Sequence, residues 1–188
     1  YLDISKAFNN VNLNTLISIL SKLNIPLELI SWINKFLTSI VLTMETEEGV
    51  IKRDLVKGLL QGSVLSPILF NLYTKGIHDL FTNNPNVQLV QYADDFAVIF
   101  NHHSENKLEQ VANISMKLLI SELNKLNLKV NVDKTKFQYF PIKRHHKTLN
   151  INITNSTQIN RVDEYKYLGV IIDKKLNFCS HTNKLKMI

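Results

Sequence analysis

The stretch QYADDFAVIF, Gln91 to Phe100, sets two adjacent carboxylates, Asp94 and Asp95, inside a run of Tyr, Ala, Phe, Val and Ile that otherwise reads as a buried strand. Burying unpaired carboxylates is costly, so the pair needs either a water-exposed turn or a nearby cation. A two-residue hairpin turn prefers Asn-Gly or Asp-Gly, and Asp-Asp concentrates like charge at one tip. A solvated turn is the plain reading and a metal site the chemical one. Neighbouring strand side chains point to opposite faces, so Asp94 is the candidate metal ligand and Asp95 shapes the tip or supplies a weaker ligand. A divalent cation needs more than one carboxylate, and Asp3 in YLDIS is the second candidate. Two short apolar strands lying side by side, each delivering a carboxylate, can hold two Mg²⁺ ions about 4 Å apart, one activating an attacking oxygen and one stabilising a leaving oxygen.

The elements that must position these acids follow from periodicity and punctuation. Residues 1 to 7 read as a strand, and 12 to 24 as an amphipathic helix with Leu13, Leu16, Ile17, Leu20 and Leu23 on one face. After Pro26 a second helix is expected from Leu27 to Ser39, then a hairpin in VLTMETEEGVIKRDL with Gly49 between its arms. GLLQGSVLSPILFNLYTKGIHDLF passes from a loop into a helix, with Ser66 expected as N-cap and Pro67 as first helical residue. Strands at 87–93 and 96–100 flank the Asp pair, a helix spans 104–126, and short strands are expected at 128–130, 136–142, 149–153 and 165–172. FCSHTNKLKMI reads as the first turns of a last helix. Strands from distant positions mixed with helices predict an α+β fold, an antiparallel sheet covered on one face, and not a doubly wound one.

With 188 residues, 45% apolar and 20% charged, the chain has the composition of a globular protein with a real core. A net charge of +6 and pI near 9.3 favour a polyanionic partner without requiring one. The single cysteine, Cys179, excludes an internal disulfide and a multi-cysteine zinc site. No apolar run approaches the roughly 20 residues of a bilayer span, so membrane and secretory readings are not expected. The adjacent histidine pairs, His102-His103 and His145-His146, point apart in regular structure and make poor joint ligands. The basic run Lys143 to Lys147 reads as a solvated loop or a phosphate contact. The first residue is not Met and stands in a strand-like segment, from which a fragment is expected.

LDISKAF, QGSVLSPILFNLY, YADD, the Asn131-x-x-Lys134-Thr135 block and YKYLGVIID occur in the order and rough spacing of the blocks of reverse transcriptases. The chain resembles most closely the non-LTR, LINE-type and jockey-like retrotransposon branch, over almost its whole length; YADD alone is moderately specific, the set highly so. The resemblance implies an RNA-directed DNA polymerase adding dNTPs to a primer 3′-OH by two-metal-ion transfer. Asp3, Asp94 and Asp95 would be its catalytic and metal-binding carboxylates, with two Mg²⁺ ions or Mn²⁺ in their place. Phe8 would be the bulky side chain that crowds a ribonucleotide 2′-OH. Gln61, Gly62 and Ser63 would abut the incoming nucleotide and template base. Lys134 would stand near the triphosphate, with Lys136 two residues away, and Leu168 and Gly169 would grip the primer end.

The same resemblance implies a palm with a remnant of the fingers over 1–172 and the start of a thumb over 173–188. The partners implied are an RNA template, a DNA primer and dNTPs, without a membrane; oligomeric state is left open. The place of work implied is intracellular, in nucleus or cytoplasm as part of an element's ribonucleoprotein. Two positions depart from the family's usual pattern: Asn9, where it has Asp, and Leu60, where it has Pro. Neither is a metal ligand, so a looser local geometry is expected, or a decaying element copy. With fingers and thumb incomplete, the catalytic centre is expected to be intact and inactive alone. Plainer readings stay open for single positions: Phe8 as a core aromatic, 61–63 as a loop and cap, Lys134 as a solvated side chain, 165–172 as a buried strand. For the whole chain the alternatives are an intron-encoded reverse transcriptase and a non-catalytic RNA-binding remnant.

Overall fold

The computed structural model describes residues 1–54, 57–141, 147–153 and 157–186. The chain is a mixed α+β protein that divides into two units, one of Tyr1–Ile4, Phe81–Ser121 and Val130–Ile188, the other of Ser5–Leu80 and Glu122–Lys129.

The first unit is organised by a four-stranded antiparallel sheet in the order β4-β5-β1-β6, from Val87–Tyr92, Asp95–Phe100, Leu2–Ile4 and Val130–Asn131. Strand β1 is short because the chain turns at Ser5, so the expected strand over 1–7 shrinks to three residues. Its side chains alternate as strand geometry requires: Leu2 and Ile4 are buried and Asp3, between them, is half exposed. In β5, Phe96 and Ala97 are both buried. Helix α4, Glu105–Lys125, buries Ala112, Met116 and Leu119, an i, i+4, i+7 stripe.

The rest of this unit holds smaller pieces. Strand β7, Lys136–Phe137, pairs in parallel with β8, Asn160–Arg161, and β9, Glu164–Tyr167, forms a hairpin with β10, Val170–Asp173. The expected strand over 136–142 is therefore two residues long, and its end at Ile142 lies outside the described residues, as does the basic run except Lys147. Residues 149–153 keep the alternation expected of a strand, with Leu149, Ile151 and Ile153 buried, but among the described residues make only a bridge between Asn152 and Gln158. The Asn152 N–H, which a ladder would use, donates to the Asn113 Oδ1 at 2.8 Å instead. The strand expected at 128–130 forms later, as β6. The last element among the described residues is α5, Cys179–Leu185.

The second unit is mainly helical. The Asn12 side chain accepts the Thr15 N–H and starts α1, Leu13–Lys22, which buries Leu16 and Leu20; Asn24 at φ +56° ends it. Helix α2, Leu27–Thr38, follows Pro26 and buries Ile30, Ile33 and Leu37. Strands β2, Val41–Thr46, and β3, Gly49–Asp54, form the expected hairpin, exposed along its whole length, with Glu47-Glu48 as its turn and Gly49 opening β3 rather than standing between the arms. Helix α3, Leu65–Asp79, starts one residue before the expected cap. Ser66 is not its N-cap: buried in the first turn, it donates its hydroxyl to the Leu60 carbonyl at 2.6 Å, tying the helix back to the loop before it. Pro67 still sits in that first turn, where its missing N–H leaves no helical bond unmade. Deeper in α3, Tyr73 is fully buried, accepting from the Asn12 N–H and donating to the Leu126 carbonyl at 2.7 Å.

Among the described residues, no helix is long and apolar enough to cross a membrane.

Candidate active site

The acid pair sits one residue later in its turn than expected. Tyr92 pairs with Asp95, so the two central turn residues are Ala93 and Asp94. Ala93 takes φ +52°, and Asp94 is not among the residues of positive φ, the sign pattern of a type II′ turn. The Gln91 side chain donates to the Ala93 carbonyl at 2.8 Å and braces the bend. Asp94 is therefore the tip residue, and Asp95 opens strand β5; the expectation that Asp95 shapes the tip is corrected by this register.

What distinguishes the hairpin is its third strand. Asp3 is the cross-strand partner of Asp95 on one side and of Asn131 on the other, so it stands between β5 and β6. Two carboxylates 92 residues apart in sequence thus meet side by side, and Asp94 adjoins them. The Asp95 carboxyl is pushed above its ordinary range, first by burial and then by the charges of Asp94 and Asp3. Negative charge is crowded closely enough here to raise one of its own carboxyls, which is the condition a bound cation relieves.

The strand on the other side of Asp3 adds the nearest cation. Asn131 accepts the Lys134 N–H through its side chain and the Thr135 hydroxyl at 2.7 Å through its carbonyl. The Thr135 Oγ1 in turn accepts the Asp3 N–H at 3.3 Å. This local turn places the Lys134 Nζ 4.0 Å from the Asp3 Oδ1. Lys136 is turned elsewhere, with its Nζ donating to the Asp133 carbonyl and its backbone in β7. The two lysines that sequence left in competition are separated by these contacts.

Two tyrosines join the site without having been singled out. Tyr165 and Tyr167 share one face of β9, a placement their i, i+2 spacing signals. Tyr165 stacks on Tyr1 with ring centroids 4.0 Å apart and planes at 10°, and Tyr167 lies 5.4 Å from the same ring. Tyr1 stands just before β1, two residues from Asp3. Burial, then the charges of Asp95 and Asp3, raise the Tyr165 phenol, and burial followed by Asp95 raises that of Tyr167. The turn of this hairpin is Leu168-Gly169, with φ +46° and +88°; two positive φ values in succession are the type I′ pattern, and glycine supplies one without strain.

Among the described residues, no group of three or more His, Cys, Asp or Glu side chains is gathered as a ready metal cluster. The donors present nevertheless fit a hard divalent cation by type: carboxylate oxygens from adjacent strands, crowded enough to raise one of their own acidities. The rings of half-buried His102 and exposed His103 meet edge to face and take no part.

The remaining expected residues belong to the second unit. Phe8 opens a 3₁₀ turn, Phe8–Asn10, and its half-buried ring stacks on Phe70 of α3, centroids 4.8 Å apart. Gln61 and Gly62 form an exposed turn ahead of α3, with Gly62 at φ +90°, and the Ser63 Oγ accepts the Leu65 N–H at 3.4 Å. Asn9, one of the two departures, is exposed.

Residues 1–172 match the family described as Reverse transcriptase (RNA-dependent DNA polymerase). Among curated relatives, a "Probable RNA-directed DNA polymerase from transposon BS" of Drosophila melanogaster is 26% identical over 186 residues, covering 96% of this chain and 20% of the relative. A "Retrovirus-related Pol polyprotein from type-1 retrotransposable element R1 2" of Nasonia vitripennis is 28% identical over 138 residues, 69% of this chain and 32% of the relative. A "Probable RNA-directed DNA polymerase from transposon X-element" of Drosophila melanogaster is 26% identical over 141 residues, 72% of this chain and 15% of the relative. The chain thus spans no more than 32% of the length of these relatives. With both the family match and the ordered blocks of Asp3, Gln61, Asp94 and Lys134 in place, the chain belongs to the reverse transcriptase family, on the side of the non-LTR retrotransposons.

Proposed function

We propose that this chain carries the catalytic part of an RNA-directed DNA polymerase, extending a DNA primer along an RNA template with dNTPs during retrotransposition. The observation that carries the reading is the register that sets Asp3 beside Asp95, with Asp94 next to them at a turn tip. In this reading residues 1–172 are a palm with part of the fingers, the sheet β4-β5-β1-β6 is the palm sheet, helices cover one face of it, and 173–188 begin a thumb. The polymerase works inside the cell, in nucleus or cytoplasm, on its own element's RNA.

Asp3, Asp94 and Asp95 would hold two Mg²⁺ ions, or Mn²⁺. Bound there, the metal supplies activation of the primer 3′-oxygen and charge neutralisation at the phosphoryl group being transferred. The chain's own residues supply position. Lys134, beside Asp3, meets the charge of the triphosphate and can protonate the departing pyrophosphate. Phe8 rejects a 2′-hydroxyl, while Gln61 and the open backbone of Gly62 meet the incoming nucleotide and its template base. Leu168 and Gly169 hold the primer end, at the turn of a hairpin whose Tyr165 and Tyr167 rings pack on Tyr1.

The test is primer extension on an RNA template by the full-length polymerase carrying Asp94→Asn. Extension is expected to vanish; extension at the wild-type rate contradicts the proposal. Salt-sensitive RNA binding by a full-length wild-type protein that incorporates no nucleotide with Mg²⁺ would favour a non-catalytic RNA-binding protein instead.

A further inference from the structure

Gly58 is buried in the left-handed conformation, φ +85°, and a Cβ placed on it would stand 2.8 Å from the Asn9 Cα, 2.9 Å from the Asn9 carbonyl oxygen and 2.9 Å from the Phe8 carbonyl oxygen. All three are backbone atoms, which cannot swing aside as the end of a flexible side chain can. Two hydrogen bonds fix the same approach: the Leu59 N–H donates to the Phe8 carbonyl at 2.8 Å, and the Gly58 N–H to the Val11 carbonyl at 3.0 Å. From the other side the Phe8 ring stacks on Phe70, planes 19° apart, and Phe70 is completely buried. Phe8 is thus held at its backbone by the 58–59 segment and at its ring by α3, with part of its surface open. At Gly49, Gly62, Gly76 and Gly169 a Cβ would meet nothing within 4 Å. Gly58 alone among the chain's glycines is needed for a contact.

We infer that Gly58 is a specificity-determining residue of this polymerase: by letting the 58–59 backbone lie directly against Phe8 and Asn9, it sets where the Phe8 ring stands and so how strongly a ribonucleotide is rejected. The inference rests on the proposed reading of Phe8 as the residue that meets the sugar. With a side chain at 58, the 58–59 segment and the Phe8–Asn9 backbone must part until the 2.8 Å approach opens to ordinary contact at 3.4 Å or beyond, and the hydrogen bond from Leu59 to Phe8 couples the two. Repulsion between a ring and a hydroxyl is steep over such a displacement, so a ring that has moved by this much discriminates less.

The experiment is single-nucleotide extension by the full-length polymerase, comparing kcat/KM for a dNTP with that for the matching rNTP. An apolar wall rejects one added hydroxyl by about 100-fold, and Phe8→Ala is expected to remove most of that ratio. Gly58→Ala is expected to lower the ratio about tenfold, and the Phe8→Ala/Gly58→Ala double variant to lose no more than Phe8→Ala alone. Equal losses for dNTP and rNTP in Gly58→Ala would mean a merely structural glycine and overturn the inference. If Gly58→Ala does not fold, Phe70→Leu decides: it keeps apolar volume but removes the flat surface under Phe8, and an unchanged ratio there overturns the inference. An unchanged ratio in Phe8→Ala removes the sugar-selecting reading of Phe8 and the inference with it, whereas a relaxed Phe8→Ala beside an unrelaxed Gly58→Ala removes the inference alone.

Discussion

The chain contains two hairpins with nearly the same plan. Each has six-residue strands, a two-residue turn and adjacent carboxylates at its end, Glu47-Glu48 in β2–β3 and Asp94-Asp95 in β4–β5. Among the described residues β2 and β3 pair only with each other, and every residue of both strands is exposed. Hairpin β4–β5 instead receives β1 along its edge, buries Phe96 and Ala97, and brings Asp3 to Asp95. Neighbouring acids at a turn are therefore not a site by themselves. In the proposed reading it is a third strand carrying another acid, Asp3 beside Asp95, that makes the difference.

The comparison breaks most sharply in catalysis. In the full-length polymerase, Asp3→Asn should lower the rate of primer extension by about a thousandfold, as loss of a group that stabilises developing charge does. Glu47→Gln with Glu48→Gln should leave that rate within about twofold, since exposed surface changes rarely cost more than about 0.5 kcal/mol. Comparable losses in both would erase the distinction between the hairpins.

Packing gives the next largest contrast. Phe96→Ala should destabilise the fold by about 3–5 kcal/mol in denaturant unfolding, the range for emptying a buried aromatic site. Met44→Ala, on the exposed hairpin, should stay within about 0.5 kcal/mol.

Much of this plan is legible in the sequence, because α1, α2 and α4 follow apolar periods closely and both hairpins fall within a residue or two of where their apolar runs put them. What escapes it is partnership. Asp3 announces an apolar strand start, but nothing local says that β1 lies between β5 and β6. The turn register was misplaced by one residue because Asp-Asp looked like the central pair, whereas Ala93 takes the positive φ. Ser66 carries the composition of a cap but spends its hydroxyl on the Leu60 carbonyl. Residues 149–153 alternate like a strand, yet a side chain, Asn113, occupies the bonding group a neighbour would need. Tyr165 and Tyr167 could have been found from their spacing, and Gly58 could not, since its demand comes from Phe8 and Asn9 fifty residues earlier in sequence.

A smaller effect concerns charge. Because the Asp95 carboxyl is raised in the folded protein, the fold binds this proton more tightly than the unfolded chain does. Its contribution is fully present below the unfolded value and is lost as pH rises through the folded one. Without divalent cation at pH 7, Asp95→Asn should therefore raise the Tm slightly, and the gain should narrow as pH falls through the folded value. A gain that grows towards acid pH would contradict the crowded-carboxylate account.

The most direct test of that account is Mn²⁺ binding followed by electron paramagnetic resonance in the full-length polymerase with primer, template and dNTP. Mn²⁺ should bind to the wild type and to the Glu47→Gln/Glu48→Gln variant alike, and binding should be lost in Asp3→Asn. Undiminished Mn²⁺ binding by Asp3→Asn would show that the meeting of β1 with β5 does not build the metal site.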